Sequence, residues 1–130
     1  AMYDNKVLAP ELDLIRRSKT PIVGVCFGCE LLVRAFGGTL KKTLSDAVRD
    51  LVVVKVTRED PLFCGRSEFE VYDAHRWVVD NLPSEFDILA ESSHGPEITK
   101  HHELPFLGLQ FHPEKSHDDG KLLFQKFINL

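Results

Sequence analysis

Apolar residues recur first at helical and then at extended spacing along the N-terminal part of the chain. "APELDLIRRSK" places Leu8, Leu12 and Ile15 at helical spacing and predicts a first helix. The continuous apolar run "TPIVGV" is typical of a strand that is covered on both faces. "ELLVRAF" returns to helical spacing, and Gly37 and Gly38 predict where that helix ends. We therefore expect a helix, a buried strand, a sharp turn and a second helix.

The rest of the chain predicts mainly strands before a closing helix. The runs "LVVVKV", "FEVY", "FDILA" and "PFLGLQF" predict strands, and "WVVDNLP" fits either a short strand or a turn and loop. "DDGKLLFQKFINL" pairs Leu123 with Phe127 and Phe124 with Ile128 and predicts a C-terminal helix. Helices at both ends of a set of strands predict one α/β domain over residues 1–130. Its sheet is expected to be open, mostly parallel and flanked by helices, with some antiparallel strands.

Composition and charge narrow the function classes. The 130 residues are 43% hydrophobic and 28% charged, which fits one globular domain with one core. A net charge of -4 and the lack of a Lys/Arg run argue against a nucleic-acid partner. No apolar segment is long enough to cross a membrane, and the N-terminus lacks the pattern of a signal peptide. We therefore expect a cytoplasmic protein that binds neither nucleic acid nor membrane.

Cysteine and histidine spacing gives little support for metal chemistry. The pair Cys26 and Cys29 in "CFGC" has a spacing found in redox pairs and in half of a zinc site, but Cys64 leaves an odd total. "HHE" at residues 101–103 is expected to be a solvated hairpin rather than a metal site. Four histidines show no regular ligand spacing: His94, His101, His102 and His117. The sequence therefore predicts no metal site and no cofactor.

Cys26 lies where the predicted buried strand turns into the second helix. A helix N-terminus presents unpaired N–H groups and partial positive charge, which favour a thiolate and can hold a developing oxyanion. Gly24 and Gly28 flank Cys26 at the spacing G-x-C-x-G, the cysteine analogue of a nucleophile elbow. On this motif alone two interpretations stay open, a nucleophile and a small buried core residue.

A second motif, "GLQFHPEKS", supplies a candidate base. His112 follows the last predicted strand, at the edge where open α/β sheets place their sites. Glu114 lies two residues on, on the same side of an extended chain, where it can accept the imidazole Nδ1–H and hold the tautomer. Pro113 keeps His112 out of helical conformation. Cys26, His112 and Glu114 are thus the predicted catalytic residues.

The two motifs in this order resemble the class I (triad) glutamine amidotransferase family. The similarity also covers "VYDAHRW" and "LPSEFDILAES", and it is greatest to the glutaminase domains of GMP synthase-type enzymes. The resemblance implies a flavodoxin-like fold. It also implies hydrolysis of the glutamine side-chain amide through a thioester on Cys26, with ammonia passed to a synthetase partner. Whether the chain forms a homo-oligomer stays open.

The resemblance assigns roles to individual residues. His112 would shuttle the proton and Glu114 would orient His112. The backbone N–H of Phe27 would be one oxyanion donor. Ala74 and His75 match the family segment that contacts the α-amino and α-carboxyl groups of the substrate.

Glu30 departs from the family pattern, which usually has glutamine at this position. An acid there would either pair with the α-ammonium of the substrate or repel its α-carboxylate. The related γ-glutamyl hydrolases share the acid, so hydrolysis of γ-glutamyl peptides is an alternative function. A partner-binding module that keeps the fold without catalysis is a further alternative.

The family pattern also places two strands and a glycine-rich oxyanion loop before the first helix, and these are not found in the sequence. We expect a longer chain, a partner that supplies the missing surface, or a degenerate relative. With one of the two expected oxyanion donors, the resemblance implies a rate loss of about 100 to 1,000-fold.

Overall fold

A computed structural model describes residues 9–43 and 48–128 of the chain. Most predicted elements are present within these ranges, and "WVVDNLP" contains a strand. The helical spacing predicted at Leu8 lies outside the described residues, as does the side chain of Ile128. The helices and strands are α1 Ala9–Arg17, β1 Ile22–Val25, α2 Phe27–Ala35, β2 Thr39–Lys42, β3 Val48–Val56, β4 Glu68–His75, β5 Trp77–Asn81, β6 Phe86–Ser92, β7 Gly95–His101, β8 Phe106–Leu109 and α3 His117–Ile128.

The described strands form two sheets. The larger has six strands in the order β1-β8-β7-β6-β3-β4, and the smaller pairs β2 with β5. The α/β class and the flanking helices are confirmed, but the parallel share is smaller than expected. Among the described pairs only β1 and β8 run parallel, so the sheet is mixed. The physical reason is connection length, because β6 to β7 and β7 to β8 are joined by short turns that permit only antiparallel pairing.

Helices cover both faces of the larger sheet. Phe106 of β8 packs in a cluster with Leu32 of α2. Its neighbour Leu107 belongs to the main core, together with Leu123 and Phe127 of α3. Because successive residues of a strand point to opposite faces, α2 and α3 lie on opposite sides of β8.

The sheet curls strongly enough to bring its far edge back to β8. β4 and β1 are the two edges of the strand order. Nevertheless Tyr72 of β4 forms an antiparallel bridge with His112, just beyond β8. This closure places the end of β4 beside the carboxyl ends of β1 and β8.

β7 is the main element that the hydrophobic pattern misses. Its buried side chains include Glu97, Thr99 and His101, so the inward face carries polar residues. The expected solvated hairpin at 101–103 is wrong for His101, whose ring contacts those of Phe36 and Phe86 at centroid distances of 5.0 and 5.1 Å. Aromatic neighbours and strand pairing bury a residue that composition assigns to the surface.

Within the described residues, every helix is too short or too polar to cross a membrane.

Candidate active site

Cys26 occupies the turn between β1 and α2. Its φ of 52° and ψ of -103° lie in a region that residues other than glycine rarely adopt. Its N–H donates to the carbonyl of Leu109 at 2.7 Å, and its carbonyl accepts from the Glu30 N–H at 3.1 Å. A strained backbone of this kind persists only where surrounding contacts hold it. The predicted sharp turn is therefore present and is tied to the end of β8.

The two glycines around Cys26 are under different steric constraints. A Cβ at Gly24 would lie 2.5 Å from the backbone C and O atoms of Gly28, so the close approach of strand and helix excludes a side chain. A Cβ at Gly28 would meet no heavy atom of the described chain within 4 Å. The geometry explains Gly24, and nothing in the structure explains glycine at position 28.

The surroundings of Cys26 keep its thiol protonated. Burial, and then the charge of Glu30, raise the pKa of the Cys26 thiol from 9.0 to about 11. The charges of Asp73 and Glu114 also raise this pKa, while the backbone N–H of Phe27 lowers it. The expectation that the helix N-terminus favours a thiolate is thus outweighed by burial and by nearby carboxylates. Ionisation of this thiol at neutral pH requires a base.

His112 and Glu114 form the predicted pair. The imidazole Nδ1 lies 3.1 Å from Oε1 and 3.4 Å from Oε2 of Glu114. Because a carboxylate only accepts hydrogen bonds, Nδ1 carries the proton and Nε2 is left with its lone pair. The His112 side chain is 23% exposed and that of Glu114 is 55% exposed, so the pair is open to solvent.

Sheet pairing brings the two motifs to one edge. Val25, which precedes Cys26, is aligned with Leu109 in the parallel β1–β8 pair. His112 follows Leu109 by three residues, and the charge of Glu114 acts on the Cys26 pKa. The carboxyl ends of adjacent parallel strands therefore hold the candidate nucleophile and base together.

Ser116 is a residue of the site that the sequence pattern does not reveal. Its hydroxyl accepts from the Tyr72 N–H at 2.9 Å and donates to the His112 carbonyl at 2.6 Å. The residue is 1% exposed. Ser116 thus joins the end of β4 to the backbone of the candidate base. No sequence signal distinguishes it from a surface serine.

The predicted substrate contacts lie on both sides of the nucleophile. The Cys26 thiol donates to the carbonyl of Ala74 at 3.5 Å. The His75 side chain is only 1% exposed, so the imidazole has little surface to offer a substrate. Glu30 is 3% exposed, on the first turn of α2. The structure thus brings Ala74 and Glu30 to Cys26 and turns the His75 ring to the interior.

One group of described residues gathers metal-ligating atoms. A carboxylate oxygen each of Asp73 and Glu97 and a ring nitrogen of His75 lie within 4.8 Å of one another. The sequence pattern gives no sign of this group because Glu97 belongs to β7, the strand that the hydrophobic pattern misses. These residues are the candidates for holding a divalent ion in the described chain.

Cys29 is a packing residue beside the site. It is a free, buried cysteine, as Cys26 is a free cysteine. A Cβ at Gly108 would lie 2.8 Å from the Cys29 Sγ, so the thiol packs directly on β8. Burial and the charge of Glu30 raise the Cys29 pKa, which disfavours the thiolate needed for metal binding. The alternatives of a paired dithiol and of half a zinc site have no support here.

Comparison with known proteins relates the chain to one family. The family model described as "Glutamine amidotransferase class-I" matches residues 4–130. The glutamine-hydrolyzing subunit of GMP synthase from Methanothermobacter thermautotrophicus is 34% identical over 122 residues, covering 92% of this chain and 65% of that protein. The corresponding protein of Pyrococcus abyssi is 37% identical over 113 residues, covering 85% of this chain and 60% of that protein. The chain therefore spans less than two thirds of the length of these relatives.

Solved structures agree with the fold. A Thermoplasma acidophilum protein provisionally described as a GMP synthase subunit superposes with a TM-score of 0.84 at 28% identity, covering 95% of this chain and 63% of that one. A glutamine amidotransferase of Thermotoga maritima gives a TM-score of 0.75 at 19% identity, covering 99% and 66%. The second likeness concerns the fold alone. Both structures confirm the predicted α/β architecture.

Proposed function

The chain belongs to the class I glutamine amidotransferase family, and on that premise we propose that it hydrolyses the side-chain amide of glutamine and supplies ammonia to a synthetase partner. The observation that carries the proposal is the meeting of Cys26 with the His112–Glu114 pair at the carboxyl ends of β1 and β8. These residue types in this arrangement support acyl transfer through a thioester.

The proposed chemistry begins with proton transfer. Glu114 accepts the Nδ1–H of His112, and Nε2 takes the proton of the Cys26 thiol as Sγ attacks the amide carbon. The Phe27 N–H donates to the oxyanion that forms. His112 then gives the proton to the leaving nitrogen, and ammonia departs. Water attacks the thioester with the help of His112, which releases glutamate and restores the thiol.

The protonated state of Cys26 in the free protein fits this sequence of steps. With a pKa of about 11, the thiol is neutral near pH 7, so attack depends on His112 rather than on a preformed thiolate. Rate should therefore fall at low pH, because a protonated imidazole cannot accept the thiol proton.

The proposal is tested by measuring glutamate and ammonia release from glutamine. We expect the Cys26→Ala variant to fall to the background rate, because it lacks the attacking atom. The Cys64→Ser variant is the matched control, since Cys64 is an exposed free cysteine outside the two motifs. Equal rates for the unaltered protein and Cys26→Ala would eliminate Cys26 as the nucleophile.

The proposed partner is a synthetase protein, because the relatives named above are glutamine-hydrolyzing subunits of GMP synthases. Ammonia is captured efficiently only where the acceptor site lies close to the glutaminase site. We expect the synthetase component of a GMP synthase to form GMP from glutamine when this chain is added. Formation of GMP only from added ammonium salt would remove this choice of partner.

Glu30 gives a specific reason to test a second candidate, γ-glutamyl hydrolysis. A buried acid one turn from Cys26 can pair with the α-ammonium of a γ-glutamyl peptide as well as with that of glutamine. A kcat/KM for γ-glutamyl peptides above that for glutamine would favour the hydrolase. Failure of Cys26 to react with a glutamine-analogue electrophile would favour a non-catalytic binding module.

A further inference from the structure

We propose that Asp73, His75 and Glu97 form a buried proton-sharing network that positions the Ala74 carbonyl against the Cys26 thiol. In this network Glu97 is a carboxylic acid and His75 an imidazolium, and both donate to the Asp73 carboxylate. The proposal rests on the proposed function only in taking Cys26 as the nucleophile.

Burial makes the protonation of these groups consequential. The exposed fractions of Asp73, Glu97 and His75 are 0%, 1% and 6%. Their ligating atoms lie within 4.8 Å of one another. With only one proton on His75 and none on the acids, four atoms would be buried without a partner in the described chain: Asp73 Oδ1 and Oδ2, His75 Nε2 and Glu97 Oε1. Each such atom costs about 1–3 kcal/mol.

The contacts of His75 require two ring protons. Nδ1 lies 3.0 Å from the carbonyl oxygen of Trp77, which can only accept. Nε2 lies 3.2 Å from Oδ2 of Asp73, which is also an acceptor. A neutral ring carries one proton and would satisfy only one of the two contacts. The imidazolium satisfies both and neutralises the Asp73 charge.

The contacts of Glu97 require the acid form. Ser92 Oγ donates to Oε2 of Glu97 at 2.6 Å, which leaves Oε1 to be satisfied. Burial, and then hydrogen bonding with Asp73, raise the Glu97 pKa well above its ordinary value. Two carboxyl groups in contact share a proton rather than ionise together. With Glu97 neutral, the network holds one negative and one positive charge and is neutral overall.

The network acts at the end of an edge strand. Ala74 lies between Asp73 and His75 in β4, and its carbonyl is the acceptor of the Cys26 thiol. β4 pairs along its length with β3 and touches the region beyond β8 at the Tyr72–His112 bridge. The His75 contact to Trp77 and the approach of Glu97 from β7 supply lateral support where β4 ends. The three residues are therefore positioning residues for the nucleophile.

The neighbouring titratable groups add negative charge. From α2 they are Glu30 and the two thiols, Cys26 and Cys29; from the turn after β8 it is Glu114. A neutral network limits further repulsion of the Cys26 thiolate. Loss of the imidazolium proton would leave Asp73 uncompensated beneath the nucleophile.

The first test is the protonation of His75 in the full chain, measured by nitrogen NMR of the imidazole. We expect both ring nitrogens to be protonated near neutral pH, with the exposed His102 as an internal reference in the same sample. A neutral ring with a single N–H would overturn the network. This measurement needs no glutaminase activity, so it separates failure of the network from failure of the proposed function.

The second test compares Glu97→Gln with Glu97→Leu. Gln keeps the shape, an acceptor for Ser92 and an N–H donor for Asp73, so kcat should stay within about threefold. Leu removes both contacts, and we expect a loss in kcat of tenfold or more with a smaller change in KM. We also expect the pH profile of Cys26 alkylation to move to lower pH, because the thiol loses the acceptor that favours its protonated form.

Glu103→Leu, at an exposed acid beyond β7, is the control for loss of a carboxylate. Equal kcat and equal alkylation profiles for the two Glu97 variants would overturn the positioning role. If Glu97→Leu does not fold, the NMR measurement on the unaltered chain still decides the proposal. Tight binding of one Zn²⁺ per chain that Glu97→Gln abolishes would replace the proton network with a metal site; we expect no such binding.

Discussion

Cys26 combines a backbone conformation that presents a nucleophile with surroundings that keep its thiol protonated. The positive φ turns the residue out between β1 and α2. Burial and three acids, Glu30, Asp73 and Glu114, oppose the thiolate, and only the Phe27 N–H among the causes of the shift favours it. The reactivity of this cysteine therefore depends on proton transfer to His112.

Replacing Glu30 by glutamine should make Cys26 more acidic. The Glu30→Gln change keeps the size of the side chain and removes the largest charge effect on the thiol. Because a nearby negative charge raises a thiol pKa, its loss should move the midpoint of the Cys26 alkylation profile to lower pH. The measurement is iodoacetamide labelling of Cys26 against pH, followed by mass spectrometry.

Glu85→Gln, at an exposed position, is the control for this change. An unchanged midpoint in Glu30→Gln would contradict the assigned cause. The same variant tests substrate choice, since loss of the acid should weaken binding of any substrate whose α-ammonium it pairs with.

The junction of β1 and α2 depends on close approach at one glycine. A Cβ at position 24 would strike backbone atoms of Gly28, which cannot move as a flexible side chain can. We expect Gly24→Ala to lower the free energy of unfolding by about 1–3 kcal/mol, the usual cost of overpacking. Gly28→Ala should be neutral or stabilise α2 by up to about 1 kcal/mol, because alanine favours the helix.

Denaturant unfolding of the two glycine variants provides the measurement, and each serves as the control for the other. Equal stability of Gly24→Ala and Gly28→Ala would show that β1 and α2 do not approach as closely as described.

On the scale of the whole molecule, curling of the sheet brings the site together. β4 is at the opposite edge of the strand order from β1, but Tyr72 reaches His112 and Asp73 reaches Glu97. Helices on both faces hold this curved sheet, α2 against one side of β8 and α3 against the other. The site is thus assembled from segments that lie far apart in the chain.

Ser116 is the residue through which this closure can be tested. Ser116→Ala would leave the Tyr72 N–H and the His112 carbonyl without their hydroxyl partner in a buried position. We expect a loss of about 1–3 kcal/mol in the free energy of unfolding. Faster hydrogen exchange at the Tyr72 amide and a lower glutaminase rate should accompany it, because the His112 backbone loses a contact.

Ser84→Ala, at an exposed serine, is the comparison for Ser116→Ala. Unchanged exchange at Tyr72 in Ser116→Ala would mean that the hydroxyl does not hold β4 to the region beyond β8.

Local patterns predict much of the fold. The apolar runs and helical spacings predict α1, β1, α2, β3, β4, β6, β8 and α3 because these elements carry apolar residues on their buried sides. β7 escapes the same reasoning because Glu97, Thr99 and His101 occupy its buried face. Polar atoms there are accommodated by partners on other strands, and a single segment cannot reveal those partners.

The sequence by itself determined the order and chemistry of the two motifs and hence the family, because Cys26, His112 and Glu114 lie within short segments of recognisable pattern. Only the tertiary structure decided the directions of the strands, the raised pKa of Cys26 and the grouping of Asp73 with Glu97. Burial and electrostatic interaction depend on distances in space, and residues far apart along the chain set those distances once the sheet curls.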